Sequence, residues 1–367
     1  MRPEELLAAA LRGEAAPWHA DARDASESTL LDAARQHGVT ALVASSAAAD
    51  CWPGTIQCAL RAGRRDEAVR EAVKRDDLCR LQAAFEQAGV HSLLVKGAQL
   101  AYTHYPQPWL RPRFDTDVLV APDDRLRADG ALRALGYMPS HQVTGSVVAH
   151  QLQYQRHDRY GFADTIDLHW KVTNPHVFAD VLTFDELAAA ARPIPALGPH
   201  ARGPSSVHAL LLACVHRVAH HQNSDLLIWL YDIHLLFGAL DADEREEFLE
   251  VARIKRLRSV CASGLDSAAR WLGTRLPEAY RDRLETGVDE EREPSAAFLQ
   301  PGMRRVDILR SDLRAVGGWR RKVRLIREHL FPPAAYVRAR YGPNTPLVFA
   351  YLDRVLTGVG KWFRAPS

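Results

Sequence analysis

Three aspartates carry the most distinctive chemistry in this chain. Asp115 and Asp117 lie in RFDTDVLV, and Asp167 lies in ADTIDLHWKV. In an extended segment side chains alternate, so Asp115 and Asp117 project to one side while Phe114, Thr116 and Val118 project to the other. Two carboxylates this close raise each other's pKa unless a positive charge sits between them, and the usual remedy is a hard divalent cation with oxygen ligands. Asp167 shares a face with Thr165 and His169, while Ile166, Leu168 and Trp170 take the other. A carboxylate in the middle of an otherwise apolar strand is costly unless paired or bound to a metal. The purely structural alternative has Asp115 and Asp117 ending a strand and capping a turn, with Asp167 paired to Lys171 or His169. For three acids on strand faces, a shared metal site is the stronger reading.

The elements that must position these acids follow from pattern. A short apolar run, Leu93 to Val95, stops at Lys96-Gly97, and a Pro-rich connection leads to the strand carrying the acid pair. Residues 89–200 mix such strands with short helices, including one that starts at Pro122-Asp123 and ends at Gly136, which argues for an α/β or α+β core. Residues 1–88 have apolar residues at helical spacing, with Gly89 closing the last helix, and read as a helical cap. His37, Cys51 and Cys58 read there as packing residues. The stretch RPIPALGPHARGPS has the composition of a linker or a turn-rich connection, and residues 201–367 beyond it read as a C-terminal helical domain. No repeat of fixed period and no low-complexity tract interrupts this plan.

Composition narrows the class. The 367 residues are 47% hydrophobic and 25% charged, enough for a substantial core, and the formal charge of +2 announces neither a nucleic-acid nor a membrane partner. Five cysteines without a CxxC pair fit free thiols in a reducing compartment. The acids in MRPEELLAAALRGEAAPW argue against a secretory signal, and no apolar run is long enough to span a bilayer, so a soluble, cytoplasmic protein is expected.

KGAQLAYTHYPQPWLRPRFDTDVLV, then IDLHW, then CVHRVAHHQNSDLLIWLYDIHLL resembles the bacterial nucleotidyltransferase-like family of the DNA polymerase beta-type superfamily over most of residues 80–240. The resemblance implies an α+β fold with a small mixed-sheet core and helices behind it, two Mg²⁺ ions held by Asp115, Asp117 and Asp167, and transfer of a nucleoside monophosphate from an NTP such as ATP. Asp115 and Asp117 would ligate the ions, and Asp167 would ligate the metal nearer the acceptor and help deprotonate its hydroxyl. Lys96 and Gly97 take the place of the superfamily's more frequent Gly-Ser pair: Gly97 lets the backbone approach phosphate and Lys96 supplies charge. Arg111 and Arg113, just before the acids, would meet the triphosphate. His169 would orient Asp167, while Trp170 packs in the core. His216 or His220, with Trp229 and Asp232, would line the wall of the cleft.

Other signals are weaker. His216, His220 and His221 have zinc-helix spacing, but no Glu lies between them in the HExxH manner and no third ligand is evident. Between Pro301 and Gly342 eleven basic residues face three acids. That strip reads either as a guide for an acidic partner or as the outer face of a helix whose Val323, Leu325 and Ile326 point inward, and the second reading is preferred. P-loop, dinucleotide-binding and esterase motifs are absent. The expectation is a Mg²⁺-dependent nucleotidyltransferase acting on a hydroxyl of a small molecule or protein, with RNA ranked below them. The alternative is a noncatalytic nucleotide-binding or interaction protein that keeps the fold.

Overall fold

The computed structural model describes residues 2–16, 26–140, 142–143, 145, 147–157, 163–219, 223–286, 293–300, 302–342 and 344–362. Its centre is a five-stranded mixed sheet: β1 (Ser92–Leu94), β2 (Thr116–Val120), β3 (Met138–Pro139), β4 (Gln151–His157) and β5 (Ala163–His169). The spatial order is β1-β2-β5-β4-β3; β2 and β5 run parallel and every other pair is antiparallel. Helices surround the sheet, so the chain is α+β.

Strand alternation divides the sheet into two different faces. Leu94, Val118, Val120, Tyr154, Ile166 and Leu168 face the helices Gly54–Gln87 and Arg125–Ala134, meeting Leu78, Leu81, Phe85, Ala128 and Leu132 in one apolar cluster. The helix Gly54–Gln87 ends where Gly89 turns left-handed (φ +62°). The Val90 N–H then bonds the Phe85 carbonyl at 2.8 Å and Gly89 N–H the Glu86 carbonyl at 3.0 Å, so two orphan carbonyls are satisfied and Val90 packs with Phe85. The opposite face contributes Leu93 and Leu119 to a larger core, and it also carries the acids.

That larger core crosses the boundaries expected at residues 88 and 200. Leu6, Leu7, Leu30 and Ile56 from the first helices pack with Leu210, Leu230, Phe237 and Leu265 from the helices Ser206–Ala219, Leu227–Ala239 and Arg258–Leu272. His37 joins the two segments directly, its Nδ1 accepting from the Leu227 N–H at 3.2 Å at the start of the helix Leu227–Ala239. Cys214 and Cys261 are buried, whereas Cys51 and Cys58 are exposed rather than packed in the interior. The Pro/Gly-rich stretch forms a packed turn, β6 (Arg192–Pro193) pairing with β7 (Arg202–Gly203), and buries Ile194, Leu197 and Ala201 in the sheet's cluster.

The last helices, Arg305–Ala315, Trp319–Leu330, Ala334–Tyr341 and Leu347–Trp362, dock on the segment leading into β4. Glu328 accepts from the Val147 and Val148 N–H groups at 2.9 and 3.0 Å, and Asp312 accepts from His176 N–H at 2.7 Å. Val147, Val316 and Leu325 form a small apolar cluster beneath them. Leu325 points inward as the sequence predicts, but Val323 and Ile326 are exposed, because among the described residues one side of Trp319–Leu330 meets the rest of the protein. No helix among the described residues is long and apolar enough to cross a membrane.

Hydrogen bonds to a charged acceptor contribute about 1.5–3 kcal/mol each. Glu328→Ala is expected to weaken the docking by about 2 kcal/mol, and hydrogen exchange at Val147 and Val148 should then quicken by roughly 30-fold while the sheet amides keep their protection.

Candidate functional site

Parallel pairing of β2 with β5 sets Asp117 directly opposite Asp167, and Leu119 opposite His169. Because the period of a strand is two, this register puts Asp117, Asp167 and His169 on one face. Each of the three offers a ligand atom, and these atoms lie within 4.8 Å of one another. All three residues are buried, at 8, 7 and 1% exposure. Asp115 lies one residue before β2 rather than inside it, half-buried at its lip, and it is not one of that close trio.

Asp117 is compensated from two directions. Lys96 Nζ donates to its Oδ1 at 2.6 Å and His169 Nε2 donates to the same oxygen at 2.8 Å. Lys96 begins the helix Lys96–Thr103 with φ +54°, a left-handed conformation that is unfavourable for a residue with a Cβ and that marks stored strain at the strand-to-helix turn. Burial alone would raise the Asp117 pKa, but the Lys96 charge and the His169 hydrogen bond outweigh it and hold the carboxyl well below the usual range. His169 Nδ1 is buried without a hydrogen-bond partner.

Asp167 and Asp115 have the opposite balance. Among the described residues Asp167 accepts from two neutral amides, Gln151 Nε2 and Gln153 Nε2, both at 3.2 Å, supplied by the adjacent β4. Burial is the main cause raising its pKa; His169 works against that, and the nearby Asp117 charge adds to it. Burial likewise raises Asp115, with the charges of Asp117 and Asp167 adding to the effect. The cluster thus holds more negative charge than its own cations neutralise.

The two arginines are already engaged. Arg111 is buried and forks onto Asp232, Nε to Oδ1 and Nη2 to Oδ2, both at 2.8 Å, and the Tyr105 hydroxyl joins Oδ1 at 2.7 Å. Gly97 makes room for this fork, since a Cβ there would sit 3.2 Å from the Arg111 guanidinium. Arg113 forks onto Glu71 of the helix Gly54–Gln87, at 2.6 and 3.0 Å. Tyr102 also bonds Glu71, and Lys74 donates to the Arg113 carbonyl. Burial and the Arg113 charge bring Lys74 down to about 8, against the pull of Asp164, Glu71 and Asp115.

Of the residues the sequence singles out, Asp117, Asp167, Lys96 and His169 come together, and Asp115 stands at the lip. Arg111 and Arg113 face Asp232 and Glu71. Glu71 and Lys74 escape notice because a helix rich in alternating charges gives no sign of which ones turn inward, and Gln151 and Gln153 because amides in a strand have no distinguishing spacing. Lys171 pairs with Asp180 rather than Asp167. The His216 ring meets the Trp229 ring edge-on at 5.5 Å, and these residues, with Lys96, Arg111 and Asp232, surround an internal void of about 20 Å³, too small for a ligand. His220 and His221 lie outside the described residues.

The model of a family described as uncharacterised nucleotidyltransferase matches residues 23–273. That span includes all five strands and every residue of the charged cluster. No curated protein matches the chain.

The pKa shifts fix the sign of two substitutions. Asp117, depressed in the fold, contributes stability above the ordinary carboxyl pKa of about 4 and loses it as pH falls further. Asp115, raised in the fold, opposes folding once ionised. In chelator at pH 7, Asp115→Asn is expected to raise the Tm by on the order of 2 °C, a gain that fades by about pH 3 where the aspartate is protonated in both states. Lys96→Met should instead cost about 3–5 kcal/mol by leaving a buried carboxylate short of its cation. Thermal unfolding of both variants across that pH range checks the two signs.

Proposed function

The chain belongs to this family of uncharacterised nucleotidyltransferases, and from that premise we propose that it transfers a nucleoside monophosphate from an NTP to a hydroxyl of an acceptor, with Mg²⁺ held by Asp115, Asp117 and Asp167. The observation that carries the reading is the paired, buried Asp117 and Asp167 in register on parallel strands, with Asp115 at the lip and both Asp115 and Asp167 pushed toward protonation. Carboxylate oxygens that lack positive charge suit a hard divalent cation, so the donor set fits the group. When bound, Mg²⁺ supplies charge to the transferring phosphoryl group and lowers the pKa of the attacking hydroxyl.

The chain's own residues do the rest. Gln151 and Gln153 fix the orientation of Asp167 so that it meets the acceptor hydroxyl and takes its proton. Lys96 and the N-terminal N–H groups of the helix Lys96–Thr103 place positive charge beside Asp117, where the phosphates are received. Arg111 and Arg113 act by holding the loop before β2 against Asp232 and Glu71. The rival reading, a noncatalytic nucleotide-binding protein, draws on Lys96 and His169 already satisfying Asp117, and it requires binding without transfer.

Calorimetry with each NTP should give binding that depends on Mg²⁺ and disappears in Asp115→Asn with Asp117→Asn. Transfer of label from an α-labelled NTP to a cell extract should fall by about 10³-fold in that variant. Nucleotide binding that ignores both the metal and the acids would defeat the proposal, and metal-dependent binding without transfer would favour the rival.

A further inference from the structure

A cavity of about 680 Å³ lies between the start of β4 and the last helices. Its inner wall includes Gln151, whose Nε2 donates to Asp167 at 3.2 Å, so one side chain separates the cavity from that carboxylate. Its outer wall comes from beyond residue 273, where the family match ends: Arg305, Tyr336, Arg340, Tyr341 and Arg354. Neither Arg305 nor Arg340 makes an ion pair among the described residues, and Arg354 stacks over the Tyr336 ring at 5.4 Å rather than meeting a carboxylate. Against these three guanidiniums the wall has one acid among the described residues, Asp312, which is buried and accepts from the His176 N–H. The space is an open cleft with arginines and tyrosines on its outer wall, and Gln151 links its inner wall to the carboxylate assigned to the acceptor.

We propose that this cavity is the acceptor site, and that the acceptor is a small hydroxyl compound bearing a phosphate or carboxylate. Its anionic group meets Arg305 and Arg340, and its hydroxyl reaches past Gln151 to Asp167. The inference rests on the nucleotidyl-transfer reading above. In the step it serves, the acceptor oxygen forms a bond to the α-phosphorus and the bond from that phosphorus to the bridging oxygen breaks. Pyrophosphate leaves with the electron pair, and the hydroxyl proton passes to Asp167 and on to solvent. Arginine suits the role because its planar fork matches phosphate and carboxylate oxygens.

The test uses glycerol 3-phosphate, glycerate and glycerol as probes at constant ionic strength, with the full chain and its Arg305→Glu, Arg340→Glu double variant, by saturation-transfer NMR and calorimetry. At least one anionic probe should bind the natural protein, the two arms separating phosphate from carboxylate, while glycerol does not. The double variant should bind that probe at least ten-fold more weakly, with Mg²⁺-dependent ATP binding unchanged. Equal binding of glycerol, equal binding of the anionic probes by both proteins, or binding of neither anionic probe would overturn the proposal. Anion binding as expected in a protein that shows no metal-dependent nucleotide binding supports the cavity as an anion site and removes the transfer reading. Nucleotide binding and label transfer without anion binding does the reverse.

Discussion

Burying several carboxylates on one face of a sheet is the constraint that shapes this protein. Desolvation of an ionised carboxyl is expensive, and a partner brought to it must come with good geometry to offset the cost. At Asp117 the chain meets the demand with Lys96 and His169, and Lys96 reaches that position through a left-handed turn that its Cβ disfavours. At Asp115 and Asp167 burial prevails, and the hydrogen bonds to Asp167 among the described residues come from glutamine amides. Carboxylates left short of positive charge in this way cost the fold some stability.

The same electrostatics tie distant elements to the site. Arg111 joins the loop before β2 to Asp232 on the helix Leu227–Ala239, and Arg113 joins it to Glu71 on the helix Gly54–Gln87. Both pairs are buried, so removing one partner would strand the other charge in a dry environment. These bonds fix the position from which Asp115 and Asp117 enter the sheet. Each arginine thus braces that loop against a neighbouring helix.

Much of the plan was legible because it depends on local periodicity. Alternation in IDLHW placed Asp167 with His169 and opposite Leu168, and Gly89 marked the end of a long helix through the left-handed turn it permits. What the pattern misjudged was long-range. Asp115 looks like part of a strand in RFDTDVLV, yet backbone pairing begins only at Thr116, opposite Ile166 of β5. Nothing near the arginines in the chain announces their partners Glu71 and Asp232, which arrive from about 40 and 120 residues away. Val323 and Ile326 fit an inward helical face by spacing, but among the described residues nothing buries them.

The shared core of the two helical ends bears on how the chain matures. Leu6 and Leu7 wait for partners around Leu265, and the first helix leans on the helix Arg258–Leu272. At a synthesis rate of roughly 5–20 residues per second, that wait lasts about 10–50 s on the ribosome. During it the earliest apolar surface stands without its eventual cover, a prolonged opportunity for chaperone capture. Truncated nascent chains should be the species that most need such help.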